Sequence, residues 1–264
     1  MAHVTVLLLV IVLGVGLVVL DRSWPPSVRD VAWLAGSGVV PDDEASVISR
    51  YLARHRRHRA VGGLVGVLAA GIAEMRWHQL ASVQVMLFGG IAGVLVGTLS
   101  AESYRLNLRA GGSSVASLEP RDPAPLVGVV RTARGLLAGS AVGAGVLAAW
   151  QQNGGPLLLV LAGAVVTAVA EATRAQIVGR RRPVLSSRAR DLDARIRAFA
   201  GRSVAWLQLA AAVLVAGGVL SAAPSGPDPL GALRGLGVVA AFIGAIVYTH
   251  RAAPRPPITW RRPA

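Results

Sequence analysis

The sequence predicts an all-α, polytopic membrane protein with seven transmembrane helices: one N-terminal helix followed by three parallel-repeated helical hairpins. Three observations predict it. Apolar runs of about 20 residues, enough to cross a ~30 Å hydrocarbon core, recur along the whole chain. Charged residues make up only 15% of the 264, against about a quarter in soluble domains, and they cluster between the runs. Two of the runs also close on one pattern. Residues 93–105 (GVLVGTLSAESYR) and 162–174 (AGAVVTAVAEATR) share, without gaps, Val96/Val165, Thr98/Thr167, Ala101/Ala170, Glu102/Glu171 and Arg105/Arg174. Residues 239–251 hold the same place in a third run, keeping the Arg but with Tyr248 where the acid would be.

The seven runs are 4–20, 60–77, 80–101, 132–150, 156–173, 204–222 and 231–250. They are continuous and not alternating, which excludes a transmembrane barrel. Their Gly pairs do not break them, because in lipid each backbone group must bond within its own segment. The first run lacks Arg or Lys before it and is followed by Asp21-Arg22 with no small-x-small site, so it reads as a retained helix and not a cleaved signal.

The connections fix the topology. All 27 Lys+Arg residues are Arg; 21–59 carries seven, 102–131 four, 174–203 nine and the tail from Arg251 four. The alternate connections, 78–79, 151–155 and 223–230, carry none. The positive-inside rule then places the N-terminus outside, the Arg-rich loops and the C-terminus in the cytoplasm, and the whole chain in the cell membrane as a multi-pass protein. The excess of +14 lies beside apolar runs, which points to anionic lipid headgroups and not to nucleic acid. Trp77, Trp150 and Trp206 fall near run ends, at headgroup level. The short turns 151–156 (QQNGGP) and 224–229 (PSGPDP) are turn-rich, so each hairpin begins and ends inside, the relation expected of parallel repeats.

Two Arg-rich segments are amphipathic. In 42–59, Pro41 precedes, Asp42 is a candidate N-cap, and Asp43 and Glu44 suit the positive end of the helix dipole. Val47, Ile48, Tyr51 and Leu52 make an apolar face, and Arg54, Arg56, Arg57 and Arg59 follow. In 186–200, Leu192, Ile196 and Phe199 form a stripe, after Arg180, Arg181 and Arg182. Both segments are read first as interfacial helices whose Arg reach lipid phosphates; the alternative, which can coexist with it, is a docking helix for a cytoplasmic protein. The stretch 107–131 is Gly-, Ser- and Pro-rich, a flexible loop, and the Pro-rich tail is extended.

Chemistry is sparse. Glu102 with Arg105 and Glu171 with Arg174 stand at i,i+3 on one helix face. They read as neutralised interfacial anchors, as a cation or proton site at the inner mouth, or as a surface coupled to a partner. Glu74 and His78 form a lesser pair, read as an interfacial hydrogen bond. Gly89, Gly93 and Gly97 make a small-xxx-small ladder, as do Gly62/Gly66 and Gly139/Gly143, for close helix packing inside the chain or in a homo-oligomer. There is no His-Glu-x-x-His, no Gly-x-Ser-x-Gly, no Walker motif and no Cys, so no catalytic, cofactor-binding or metal residue is assigned. Few polar residues fall in mid-bilayer (Gln84, Thr98, Ser140, Thr167, Gln208). The expectation is a non-catalytic membrane subunit or scaffold for a cytoplasmic partner, with a self-contained small-solute or ion transporter or channel as the alternative.

Overall fold

A computed structural model describes residues 25–77, 82–103, 126–152, 154–179, 187–224, 229–256 and 260. The run 4–20, the loop 107–125, Arg105, Arg180, Arg181, Arg182 and the Glu74–His78 pair lie outside the described residues. Within them the chain forms seven α-helices: α1 (Val28–Ala35), α2 (Asp42–Trp77), α3 (Ser82–Ser103), α4 (Val127–Gln151), α5 (Gly155–Gly179), α6 (Ser187–Ser221) and α7 (Pro229–Arg251). Five of them, α3 to α7, contain stretches long and apolar enough to cross a membrane.

Consecutive helices pair as antiparallel hairpins. Gly62 of α2 faces Gly93 of α3, Gly66 faces Gly89, and the His58 carbonyl faces Gly97; a methyl group at any of these glycines would overlap the opposite backbone. The ladder of Gly89, Gly93 and Gly97 is therefore filled from within the chain, and the two backbones approach as only glycine permits. Gly139-x-x-x-Gly143 on α4 behaves differently: nothing lies within 4 Å of a Cβ at Gly139, and Gly143 meets only Val219 at ordinary contact. In the last pair, Gly217 faces Ala241 and Gly237 faces Leu220.

The bundle is built around α6. Its apolar stretch is 78% buried, against 6% for that of α7, because α3, α4, α5 and α7 all pack on it. The core joins Phe88, Ile91 and Leu95 of α3, Ala144 and Leu147 of α4, Val166 and Ala170 of α5, and Val204, Leu207, Leu214 and Val215 of α6. The outward faces carry exposed apolar side chains, among them Val142 and Val146 on α4, Leu158 and Leu161 on α5, and Leu236 and Ile243 on α7. A girdle of this size is what a lipid-facing surface presents. The burial pattern follows the repeated motif in α3 and α5: Val96 and Val165 are exposed, Ala101 and Ala170 are buried.

Two helices outrun any bilayer. At 1.5 Å per residue, α2 with 36 residues is about 54 Å long and α6 with 35 about 52 Å. The segments 42–59 and 186–200 are thus not separate elements; each is the first half of one of these helices. Their stripes do not lie open. Ile48, Tyr51 and Leu52 of α2 close on Leu192 and Ile196 of α6 and on Val31 and Leu34 of α1, with Trp33 and Phe199 packed alongside. This makes a small helical head on the arginine-rich side, with its own core.

Helix α1 is short and well terminated, which lets it cap the head. The Ser27 hydroxyl accepts from the Asp30 backbone N–H while Asp30 accepts from the Ser27 N–H, a reciprocal capping box, and Gly36 at φ 65° ends the helix in the left-handed region. Asp30 also pairs with Arg56 of α2 at 2.9 Å. Burial works to raise the Asp30 carboxyl, but the Ser27 and Arg56 donors outweigh it and hold it below its usual 3.8.

Candidate functional site

The two glutamates of the repeated motif occupy different sites. Glu102 ends α3 beneath the head and is 2% exposed. Its Oε1 accepts from the Tyr51 hydroxyl at 2.7 Å and lies 2.6 Å from His55 Nε2. Tyr51 and His55 are one turn apart on α2, so a single helix face delivers both donors. Phe199 of α6 closes the pocket, edge-on to both rings. Three residues beyond His55, nearer the bundle, His58 Nδ1 meets the Ser100 hydroxyl at 3.0 Å. A turn beyond His55, buried Arg59 donates to the Ser203 hydroxyl, which donates to the Ala252 carbonyl at 2.8 Å. The chain α2–α3–α6–α7 is thereby tied together at one level.

His55 is fully enclosed, and burial drives its pKa below 6.5; Glu102 works the other way, and Arg59 and Arg54 add to the lowering. Its Nδ1 has no hydrogen-bond partner. These features assign the neutral tautomer with Nε2–H donating to Glu102, an assignment made from the network. A second proton on Nδ1 would sit buried with nothing to accept from it.

Glu171, on α5, is about a third exposed. Its Oε1 takes three donors: Arg134 Nε at 3.0 Å, Arg134 Nη2 at 2.8 Å and Gln208 Nε2 at 3.0 Å. Arg174 Nη1 stands 3.6 Å from Oε2, so the i,i+3 pair is present as a loose contact. The cluster bridges α4, α5 and α6. Two side-chain atoms in it, Arg174 Nε and Gln208 Oε1, are enclosed without a hydrogen-bond partner. Nearby on α6, Trp206 stacks on Tyr248 with ring centroids 5.4 Å apart, and the Arg251 guanidinium lies 5.2 Å from the Trp206 ring. The third motif position, Tyr248, has become part of an aromatic pair.

The remaining sequence-derived residues fall as follows. Arg56 is drawn into the head by Asp30 and the Pro254 carbonyl, and Arg59 is buried. Arg57 is exposed and Arg54 half-buried. Of the polar groups in the apolar runs, Gln84 donates across to the Leu214 carbonyl at 2.9 Å, Thr98 to Val94 and Ser140 to Leu136, while Gln208 belongs to the Glu171 cluster. The two carboxylates share no partner among the described residues. His55 and Arg134 are the site residues that sequence reasoning did not single out; Tyr51 stood out only as part of an apolar face and Gln208 only as a polar residue in an apolar run. The i,i+4 spacing of Tyr51 and His55 was the available signal for the first site, and the lone polarity of Gln208 the signal for the contribution of α6.

No family model, curated protein or solved structure matches the chain.

Proposed function

We propose that the protein is a non-catalytic subunit of the cell membrane, holding a soluble cytoplasmic partner on its arginine-rich head. In this reading the N-terminal run is a crossing, the apolar half of α2 is another, and α3 to α7 bring the total to seven. The N-terminus lies outside, and the three hairpins are parallel copies. Two lines support the topology: the distribution of Arg, and the shared burial register of α3 and α5 around Ala101 and Ala170.

The observation that carries the function is the head. Helices of about 54 and 52 Å exceed a ~30 Å core by more than 20 Å. That excess is folded on α1 around a dedicated core and presents exposed Arg50, Arg57, Arg188 and Arg190. Helices that only anchored to lipid would turn their apolar stripes to the bilayer; here the stripes close on one another. A transport pathway is disfavoured by the same side chains that would line it, since Gln84, Thr98 and Ser140 satisfy nearby backbone carbonyls.

Affinity purification of the full chain from its own membranes in mild detergent, with mass spectrometry of the material retained, tests this. A stoichiometric soluble protein, lost when Arg50, Arg57, Arg188 and Arg190 are replaced together by Gln, is the expected result. Purification alone, with solute flux in liposomes, would replace the subunit reading with the transporter.

A further inference from the structure

We infer that the Arg134–Arg174 cluster is a binding site for a phosphate oxyanion, carried by an anionic lipid headgroup or by free phosphate. The inference needs the helices to lie in a membrane and is independent of the head's partner.

Charge comes first. Two guanidiniums face one carboxylate, leaving the cluster net positive. Glu171 is already committed to Arg134 and Gln208 through Oε1, and its contact with Arg174 is long. Among the described residues Arg174 is therefore the poorly satisfied member: its side chain is only 11% exposed, its one carboxylate contact there is 3.6 Å long, and its Nε is enclosed with no acceptor. A guanidinium in that state lacks the acceptors its fork of donors requires. Access is provided on the α4 side, where the Arg134 side chain is 59% exposed and Arg131, almost one turn earlier, is exposed as well.

Depth comes second. Gln208 lies two residues beyond Trp206 on α6, about 3 Å along the axis. The Trp206–Tyr248 stack with Arg251 has the composition of an interfacial belt, where amphipathic rings settle at headgroup level. The cluster thus sits within a few ångströms of the layer in which phosphodiesters are found. Phosphate matches guanidinium geometry with two parallel hydrogen bonds, and two Arg on adjacent helices present more donors than one carboxylate can accept.

The test is native mass spectrometry of the full chain in mild detergent, titrated with phosphatidylglycerol in one arm and inorganic phosphate in the other. Arg174→Gln should weaken a saturable one-to-one adduct roughly ten-fold or more, the loss expected for a charge-assisted hydrogen bond. Arg134→Gln, at a more exposed position and less prone to misfold, should weaken it as well. Glu171→Gln should tighten it, because the competing carboxylate charge is gone. Arg234→Gln, near the other end of the bundle, should change nothing. Binding of phosphatidylglycerol alone identifies a headgroup; binding of inorganic phosphate with equal affinity identifies a free anion. Adducts unaffected by Arg174→Gln and Arg134→Gln, or weakened by Glu171→Gln, would overturn the proposal.

Discussion

The α2/α3 and α4/α5 hairpins end in the same Ala-Glu-x-x-Arg motif and are closed in opposite ways. The first is zipped by glycines on both helices, so the backbones touch, and among the described residues the polar contacts between them, His58 with Ser100 and Tyr51 and His55 with Glu102, lie at the end under the head. The second leaves open space at Gly128, Gly135 and Gly139 of α4, its one tightly packed glycine among the described residues, Gly163, meeting the Val215 and Leu137 side chains and not a backbone, and its acid is reached by arginines of α4 and α5. The lesson is that the motif does not set the environment of its carboxylate. The neighbouring helix does: α2 continues past the membrane level and brings Tyr51 and His55 with it, whereas α4 begins at Val127, about two turns before Arg134.

The largest expected contrast is between the two acids. Glu102→Ala removes the acceptor of the Tyr51 hydroxyl and of His55 Nε2–H in a buried site, and should cost about 3 kcal/mol, the range for breaking a buried polar network. Glu171→Ala, at a partly exposed and salt-screened site, should cost under about 1 kcal/mol. Thermal unfolding of the detergent-solubilised protein measures both. Equal losses would mean that the first hairpin is no more dependent on its acid than the second.

A smaller contrast concerns the glycines. Gly93→Ala forces a methyl against the Gly62 carbonyl and should destabilise by about 1–3 kcal/mol, the overpacking range. Gly139→Ala adds a methyl to open space within a helix and should be neutral or stabilising by up to about 1 kcal/mol. If Gly139→Ala is instead as damaging as Gly93→Ala, α4 has a close partner that the isolated chain does not contain, and the two hairpins are more alike than they look here.

Much of the fold was legible because apolar length and Arg clustering are local properties. The spans of α3 to α7 and the amphipathic stripes at Ile48–Tyr51–Leu52 and Leu192–Ile196–Phe199 could be read from spacing alone. What those stripes cover could not, since an apolar face is the same whether it meets lipid or another helix. The continuity of 42–59 with the run from 60 was visible, but not that α6 would run alongside to complete a head. The site was legible in part. Glu102, Glu171 and Arg174 stand out through the repeat, yet the residues that separate the two acids, Tyr51, His55, Arg134 and Gln208, are distant in sequence. Arg56 and Arg59 illustrate the same limit: in a basic run they look like headgroup ligands, and only the position of Asp30 and Ser203 turns them inward.

The finest separation of the two hairpins is by pH, because only the first carries a histidine beside its acid. In the fold His55 is held below its usual 6.5, so the proton-free ring is the form the packed head accommodates, and a head that opens gains a proton. The contribution of His55 to docking is therefore complete above about pH 6.5 and declines as the pH falls from there toward the lowered folded value. Arg54 and Arg59 face the same ring and oppose its charging, while Glu102, itself held by the Tyr51 hydroxyl, engages Nε2 and leaves Nδ1 to take the proton. Asp30 acts in a separate window: its carboxyl is held below 3.8, so its contribution is present above about pH 4 and is lost only as the pH falls further. Between about pH 6.5 and 4, then, acid should loosen the head through His55 and also through His58, whose pKa burial and the Arg54 and Arg57 charges likewise hold below 6.5. Hydrogen exchange of the 42–59 half of α2 at pH 7.5 and 5.5, corrected for the intrinsic exchange rate, reads this directly. Protection should fall at the lower pH in the native chain. In His55→Gln, whose amide can still donate to Glu102 but cannot be charged, the fall should shrink to the part that His58 carries, and α4 and α5 should show no such change in either protein. A pH response of undiminished size in His55→Gln would move the titrating group elsewhere and remove the distinction between the hairpins at this level.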